Sequence, residues 1–135
     1  MQKQEVRAFK NELRNYTYYC HRITTLDESI EFMYERLGGV RGIDPSKEPL
    51  HTAPNKDYEY MLREQIERYE ESKALYVAKR DYIDKILGEV PNTLREALKS
   101  VYINGKRIDM VAVEYNLSAN GLIYQMNKAI ELALQ

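Results

Sequence analysis

From Val6 onward the apolar residues fall at Val6, Phe9, Leu13, Tyr16, Cys20 and Ile23, in steps of 3, 4, 3, 4 and 3. That is the spacing of a helix–helix seam. Between them Arg7, Lys10, Asn11, Glu12, Arg14 and Asn15 make a solvated face. The series runs on through Leu26, Ile30, Met33 and Leu37, but two successive steps of three, Cys20 to Ile23 to Leu26, break the heptad. Thr25, with Glu28 three residues on, has the form of a capping box. Residues 3–37 are therefore one helix with a local stammer or two helices meeting near Thr25. One helix is favoured, since neither Gly nor Pro occurs before Gly38.

Residues 38–56 read as a loop. Gly38, Gly39, Gly42, Pro45, Pro49 and Pro54 crowd into it. Gly38 can take the left-handed conformation that ends a helix, and the prolines block its resumption. A second long helix is expected over 55–88, capped by Asn55 or Asp57. Leu62, Ile66, Tyr69, Tyr76, Ile83 and Leu87 share one line of it, and Arg63, Glu64, Glu67, Arg68, Glu70 and Glu71 lie opposite. Two such helices pack as an antiparallel hairpin with a thin core. Nine of the 12 tyrosines lie on or beside them, a residue suited to half-buried seams and partner surfaces, so homodimerisation through the hairpin is an open expectation.

Gly88 and Pro91 punctuate the chain, and three short helical stretches follow. The first, about 93–103, has Leu94, Ala97, Leu98 and Val101 on one face and ends at the turn signal Asn104-Gly105. The second, about 107–115, has Ile108, Val111, Ala112 and Tyr115 inward. Asn116 tolerates the left-handed conformation of a tight turn, and Ser118 caps a third stretch over 119–133 with Leu122, Met126, Ala129, Ile130 and Ala133 inward. Small Ala112 lets the third helix cross the second closely. The expected fold class is thus all-α, with a helical hairpin over 1–90 (loop 38–56) and a three-helix helix-turn-helix domain over 91–135.

Gly105, Val111-Ala112, Leu117-Ser118, Leu122 and Lys128-Ala129 stand at mutually consistent offsets. Over residues 94–133 this spacing resembles the fourth region of bacterial sigma factors. The whole layout, long helix, Gly/Pro-rich loop, long helix and sigma-like end, resembles the sigma-like, RinA/ArpU-like regulators of phages and prophages. The resemblance implies binding of double-stranded DNA and control of phage or prophage transcription, with RNA polymerase as a further partner.

On that reading the third short helix faces the major groove with Ala119, Asn120, Gly121, Ile123, Tyr124 and Asn127 outward. Asn120 and Asn127 can pair with adenine edges, and Tyr124 can reach a phosphate. Ser118 stands at the start of that helix and Lys128 is its single cation. Lys106 and Arg107, before the second short helix, suit backbone contacts that set register. Sigma-like helices usually carry more Arg and Lys. Residues 92–135 hold five cations and four anions, net +1, a faint footprint for DNA binding. The alternative is a protein-interaction module, for RNA polymerase or another host protein, whose helix-turn-helix no longer reads DNA. A second basic strip lies on the first helix, where Lys3, Arg7, Lys10 and Arg14 repeat at 4, 3 and 4; it can add phosphate contacts, or be balanced by Glu64, Glu67 and Glu71 across the hairpin.

Over the full 135 residues the net charge is −1, with 44% hydrophobic and 30% charged residues. This excludes a globally basic coat and an acidic tail, and fits a folded, helix-rich chain. No run nears 18 apolar residues and the start is polar, so no membrane span and a cytoplasmic site are expected. Cys20, the one cysteine, has no partner for an internal disulfide, and with His21 and His51 it offers no metal-ligand spacing. Adjacent Cys20 and His21 point apart on a helix and make a poor nucleophile–base pair. Gly38-Gly39-Val40-Arg41-Gly42 lacks the Lys-Ser/Thr of a phosphate loop. No enzyme, cofactor or metal is expected.

Overall fold

The computed structural model describes residues 2–41 and 52–135, and within these it is all-helical, with no strand. The elements are α1 (Gln2–Arg14), α2 (Tyr16–Arg41), α3 (Thr52–Gly88), α4 (Asn92–Leu98), a π-helical turn (Lys99–Ile103), α5 (Ile108–Glu114) and α6 (Ala119–Ala133). The expected single helix over 3–37 is interrupted, but at Asn15 rather than at Thr25. The Asn15 N–H is shared between the carbonyls of Asn11 (3.2 Å) and Glu12 (3.1 Å), and the ladder resumes with Tyr19 N–H on Asn15 O at 2.9 Å. Consequently Tyr19 takes the buried position after Leu13, while Tyr16 and Cys20 stay half-exposed.

The loop bounds are corrected as well. α2 runs through Gly38 and Gly39 to Arg41. Glycine permits a helix stop without enforcing one, at about 1 kcal/mol per residue relative to Ala, and no proline follows before Pro45. α3 starts at Thr52, with Pro54 in its first turn, where a missing N–H costs little. The middle of the expected loop, residues 42–51, lies outside the described residues.

The chain divides into two compact units, Met1–Tyr19 with Ala78–Gln135, and Cys20–Val77. In the second, later residues of α2 meet earlier residues of α3. Leu37, Leu62 and Ile66 form a buried cluster flanked by Ile30, Met33 and Tyr58. Asp27 pairs with Lys73, the Tyr34 hydroxyl donates to Glu70 at 3.3 Å, and the Arg22 guanidinium lies over the Tyr76 ring. This core is narrow. Phe32, Tyr34, Tyr60, Met61 and Leu75 of the same unit are at least half exposed.

The first unit holds the larger core. Leu13, Ile83, Leu98, Leu122, Met126, Ile130, Val90 and Val111, all less than 2% exposed, belong to it. Hiding each such side chain contributes about 1.5–3 kcal/mol. α6 packs on α1, α4 and α5, so the N-terminal helix is part of the C-terminal core. α4 does not continue as an α-helix to Ile103, as its periodicity predicts. From Lys99 the backbone widens by one residue per turn, with Asn104 N–H on Lys99 O at 2.8 Å, and Gly105 (φ 71°) ends it with Lys106 N–H on Ser100 O at 2.9 Å. The widened turn packs against α1.

Arg95 closes the α3 end. Its guanidinium donates to the carbonyls of Leu87 (2.8 Å), Val90 (3.0 Å) and Gly88 (3.2 Å). A helix C-terminus leaves these acceptors orphaned otherwise. Arg95→Met is expected to destabilise the protein by about 1.5–3 kcal/mol, the worth of charged hydrogen bonds to half-buried acceptors, read as a lower Tm with unchanged helix content.

Candidate nucleic-acid interface

α5 ends in a corner built by Asn116. At φ 58° it is the one non-glycine residue with positive φ among the described residues. Asn116 N–H bonds to Val113 O (3.1 Å) and Leu117 N–H to Ala112 O (3.0 Å), which together satisfy the last carbonyls of α5. Two residues later Ser118, extended at φ −73° and ψ 162°, caps α6 by accepting the Gly121 N–H at 3.0 Å. A Cβ on Gly121 would sit 3.1 Å from Ser118 Oγ. Glycine costs a helix about 1 kcal/mol relative to Ala, but at position 121 it leaves room for the Ser118 cap. α5 packs on α6, with Ala112 and Val111 of α5 1% exposed and Leu122 and Met126 of α6 fully buried. The Tyr115 hydroxyl donates to Thr93 O at 3.2 Å, linking the end of α5 to the start of α4.

Beyond the corner, Asn120, Tyr124 and Lys128 are exposed at successive turns, and the Lys128 ammonium lies 5.7 Å from the Tyr124 ring centre. Ser118 is exposed, but its hydroxyl oxygen is engaged by the cap. Lys106 and Arg107 are exposed before α5, where Arg107 pairs with Asp109 at 2.9 Å. That pair is open to water and weak, so it leaves the guanidinium available. Asn127 departs from its expected outward position. Its Oδ1 is out of contact with solvent, has no hydrogen-bond partner, and the side chain lines a cleft facing α1. α1 packs on α6, so a helix absent from the 91–135 pattern turns the Asn127 amide away from open solvent.

The cleft has a volume of about 420 Å³ and is lined by Val6, Arg7, Lys10, Asn11, Arg14, Tyr102, Asn127 and Glu131. Lys10 Nζ lies 5.5 Å and Arg14 Cζ 5.2 Å from the Tyr102 ring centre, while Arg14 also donates to Asn11 Oδ1 at 2.7 Å. Among the described residues no carboxylate stands within ion-pair distance of Arg7, Lys10 or Arg14, and Glu64 is taken by Arg68 on its own helix. Partial burial, then the neighbouring charges of Arg14 and Arg7, hold Lys10 below its ordinary pKa of 10.5. Burial raises the Tyr102 phenol, against a smaller opposite pull from Arg14. A lysine with a lowered pKa destabilises the fold while it is charged. The penalty is complete below the lowered value and fades as the pH climbs from there to 10.5. Lys10→Met is therefore expected to raise the Tm at pH 7, with the gain shrinking toward pH 10.5, as thermal melts across that range will record.

A second concavity, about 370 Å³, is mostly apolar and lies between α4 and α6, lined by Glu89, Pro91, Leu94, Tyr124, Gln125, Lys128, Ala129 and Leu132. Leu132 (63% exposed) and Tyr124 (64% exposed) rim it. No group of three or more metal-ligating side chains occurs among the described residues, and no helix there is long and apolar enough to cross a membrane. Cys20 is half-exposed and His21 exposed on α2. Compared with known protein families, characterised proteins and solved structures, the chain matches none.

Proposed function

We propose that the protein is a DNA-binding transcription regulator of the phage sigma-like kind, with α5, the Asn116 corner and α6 acting as its helix-turn-helix. The observation that carries this reading is the corner itself. A left-handed asparagine followed two residues later by a serine cap joins α5, with its small buried Ala112, to α6, and Asn120, Tyr124 and Lys128 of α6 stay open to solvent. Asn120 is placed to pair with an adenine edge, and Tyr124 and Lys128 to hold phosphates. Lys106 and Arg107 supply further backbone contacts from the start of α5. The α2–α3 hairpin serves dimerisation or contact with RNA polymerase, which the half-exposed Phe32, Tyr60, Met61 and Leu75 support.

The test is fluorescence anisotropy with mixed-sequence duplex DNA across a salt series. Binding is expected at low salt and is expected to weaken steeply as salt rises. Selection of preferred duplexes with the wild type and with Asn120→Ala then reports the base it reads. A changed preference at a single base pair is expected, and an unchanged preference removes Asn120 from that role.

The apolar concavity between α4 and α6 favours a second reading, a protein-interaction module. Tyr124 and Leu132 line it together with Lys128, and an aromatic–aliphatic groove with few polar groups suits a partner side chain better than a phosphate. Capture of purified RNA polymerase at high salt, lost on Leu132→Glu, would favour that reading over DNA.

A further inference from the structure

We propose that the cleft between α1 and α6 is a phosphate-binding site, in which Arg7, Lys10 and Arg14 hold the anion and Asn127 contacts it from the opposite wall. The proposal does not rest on DNA reading by α6. Three cations on successive turns of α1 converge on a cleft of about 420 Å³, with Glu131 the lone carboxylate among its lining residues. The excess of two positive charges matches a phosphate dianion better than a carboxylate. Two guanidinium groups offer planar pairs of donors that fit phosphate oxygens two at a time.

Stacking of Lys10 and Arg14 on the Tyr102 ring offsets only part of the repulsion in this cluster. The three cations have no ion-pair partner among the described residues, and Lys10 is held in a partly buried, positively charged setting that disfavours its own charge. Lys10 forms no ion pair with Glu131, the carboxylate of the same cleft, and keeps only part of its contact with water. An incoming anion relieves the repulsion. The second wall also lacks something: Asn127 Oδ1 is buried without a partner. With that oxygen buried, the NH2 of the carboxamide is the end of the Asn127 side chain left to donate to an anion in the cleft it lines.

The phosphate has two possible sources, a free phosphorylated compound or the nucleic-acid backbone. Asn127 lies seven residues after Asn120, so it is within about 20° of the same line on α6 and about 10 Å further along. A duplex on Asn120 would pass near the cleft. Its volume also falls in the range of small-ligand sites.

The experiment follows the Asn127 side-chain amide and the backbone amides of Arg7 to Arg14 by NMR in the full-length protein, titrating inorganic pyrophosphate and, separately, a mixed-sequence duplex. Shifts with pyrophosphate, together with a raised Tm, assign the site to free phosphorylated compounds. Shifts with duplex alone assign it to the backbone. In either case Arg14→Gln is expected to weaken binding by about tenfold or more, and Arg14→Lys, which keeps the charge but loses the paired donors, to restore only part of it. Because these side chains are exposed or half-exposed, Arg14→Gln is expected to keep its fold, which its amide spectrum verifies. If neither probe moves these signals at low salt, or if Lys10→Gln with Arg14→Gln binds both probes as the wild type does, the site does not exist. A positive pyrophosphate arm with no duplex binding leaves this cleft standing while the DNA reading of α6 fails.

Discussion

Leu122→Ala is expected to destabilise the protein by about 2–5 kcal/mol, the range for truncating a large aliphatic side chain in a core that relaxes only in part. Leu122 is 0% exposed, on the inner line of α6 with Met126 and Ile130, which are also 0% exposed. It follows the Ser118 cap by four residues, so it fixes α6 immediately after the corner. Losing it leaves a cavity in the core that α6 shares with the helices it packs on. Urea unfolding should show a lower midpoint with an unchanged slope. Leu132→Ala, at 63% exposed on the same helix, should move the midpoint little. If the two variants unfold alike, α6 is not seated as described.

The second large effect concerns charge. Replacing Lys106, Arg107 and Lys128 together by Gln is expected to lower affinity for any duplex by at least about 100-fold at low salt. Each lost phosphate contact should also reduce the slope of log K against log salt by about 0.9, so three contacts reduce it by about 2–3. The outcome should be independent of DNA sequence, because backbone contacts set position and not preference. All three side chains are exposed, and the single ion pair among them, Arg107 with Asp109, is a surface pair of small worth. The triple variant should therefore melt close to the wild type. Loss of affinity without loss of stability separates a binding role from a structural one.

The parts of the fold legible in the sequence are those set by short-range chemistry. Asn116 in the left-handed region, Ser118 as the cap and the inward line Leu122, Met126, Ala129, Ile130 and Ala133 all follow from residue type and a period of 3.6. What was not legible depends on distant segments. The 3, 4 spacing of α1 announces a seam without naming its partner, and α6 is part of that partner. For the same reason Asn127, outward on the wheel of α6 alone, has a buried oxygen beside α1. The π-helical turn at Lys99–Ile103 leaves no periodic trace, because it alters the backbone count and not the order of apolar residues. Gly38 and Gly39 misled for a thermodynamic reason: about 1 kcal/mol each is too little to stop a helix. The repeat of Arg7, Lys10 and Arg14 is visible as a basic strip, but its facing wall, Tyr102 and Asn127, comes from 88 and more residues downstream.

The most direct test of the central claim is amide-shift mapping of the full-length protein as duplex DNA is added at low salt. The account predicts shifts centred on Lys106, Arg107, Ser118, Asn120, Tyr124 and Lys128, fading as salt is raised. A spectrum left unmoved in α5 and α6 at saturating DNA, or moved only in α2 and α3, would contradict it.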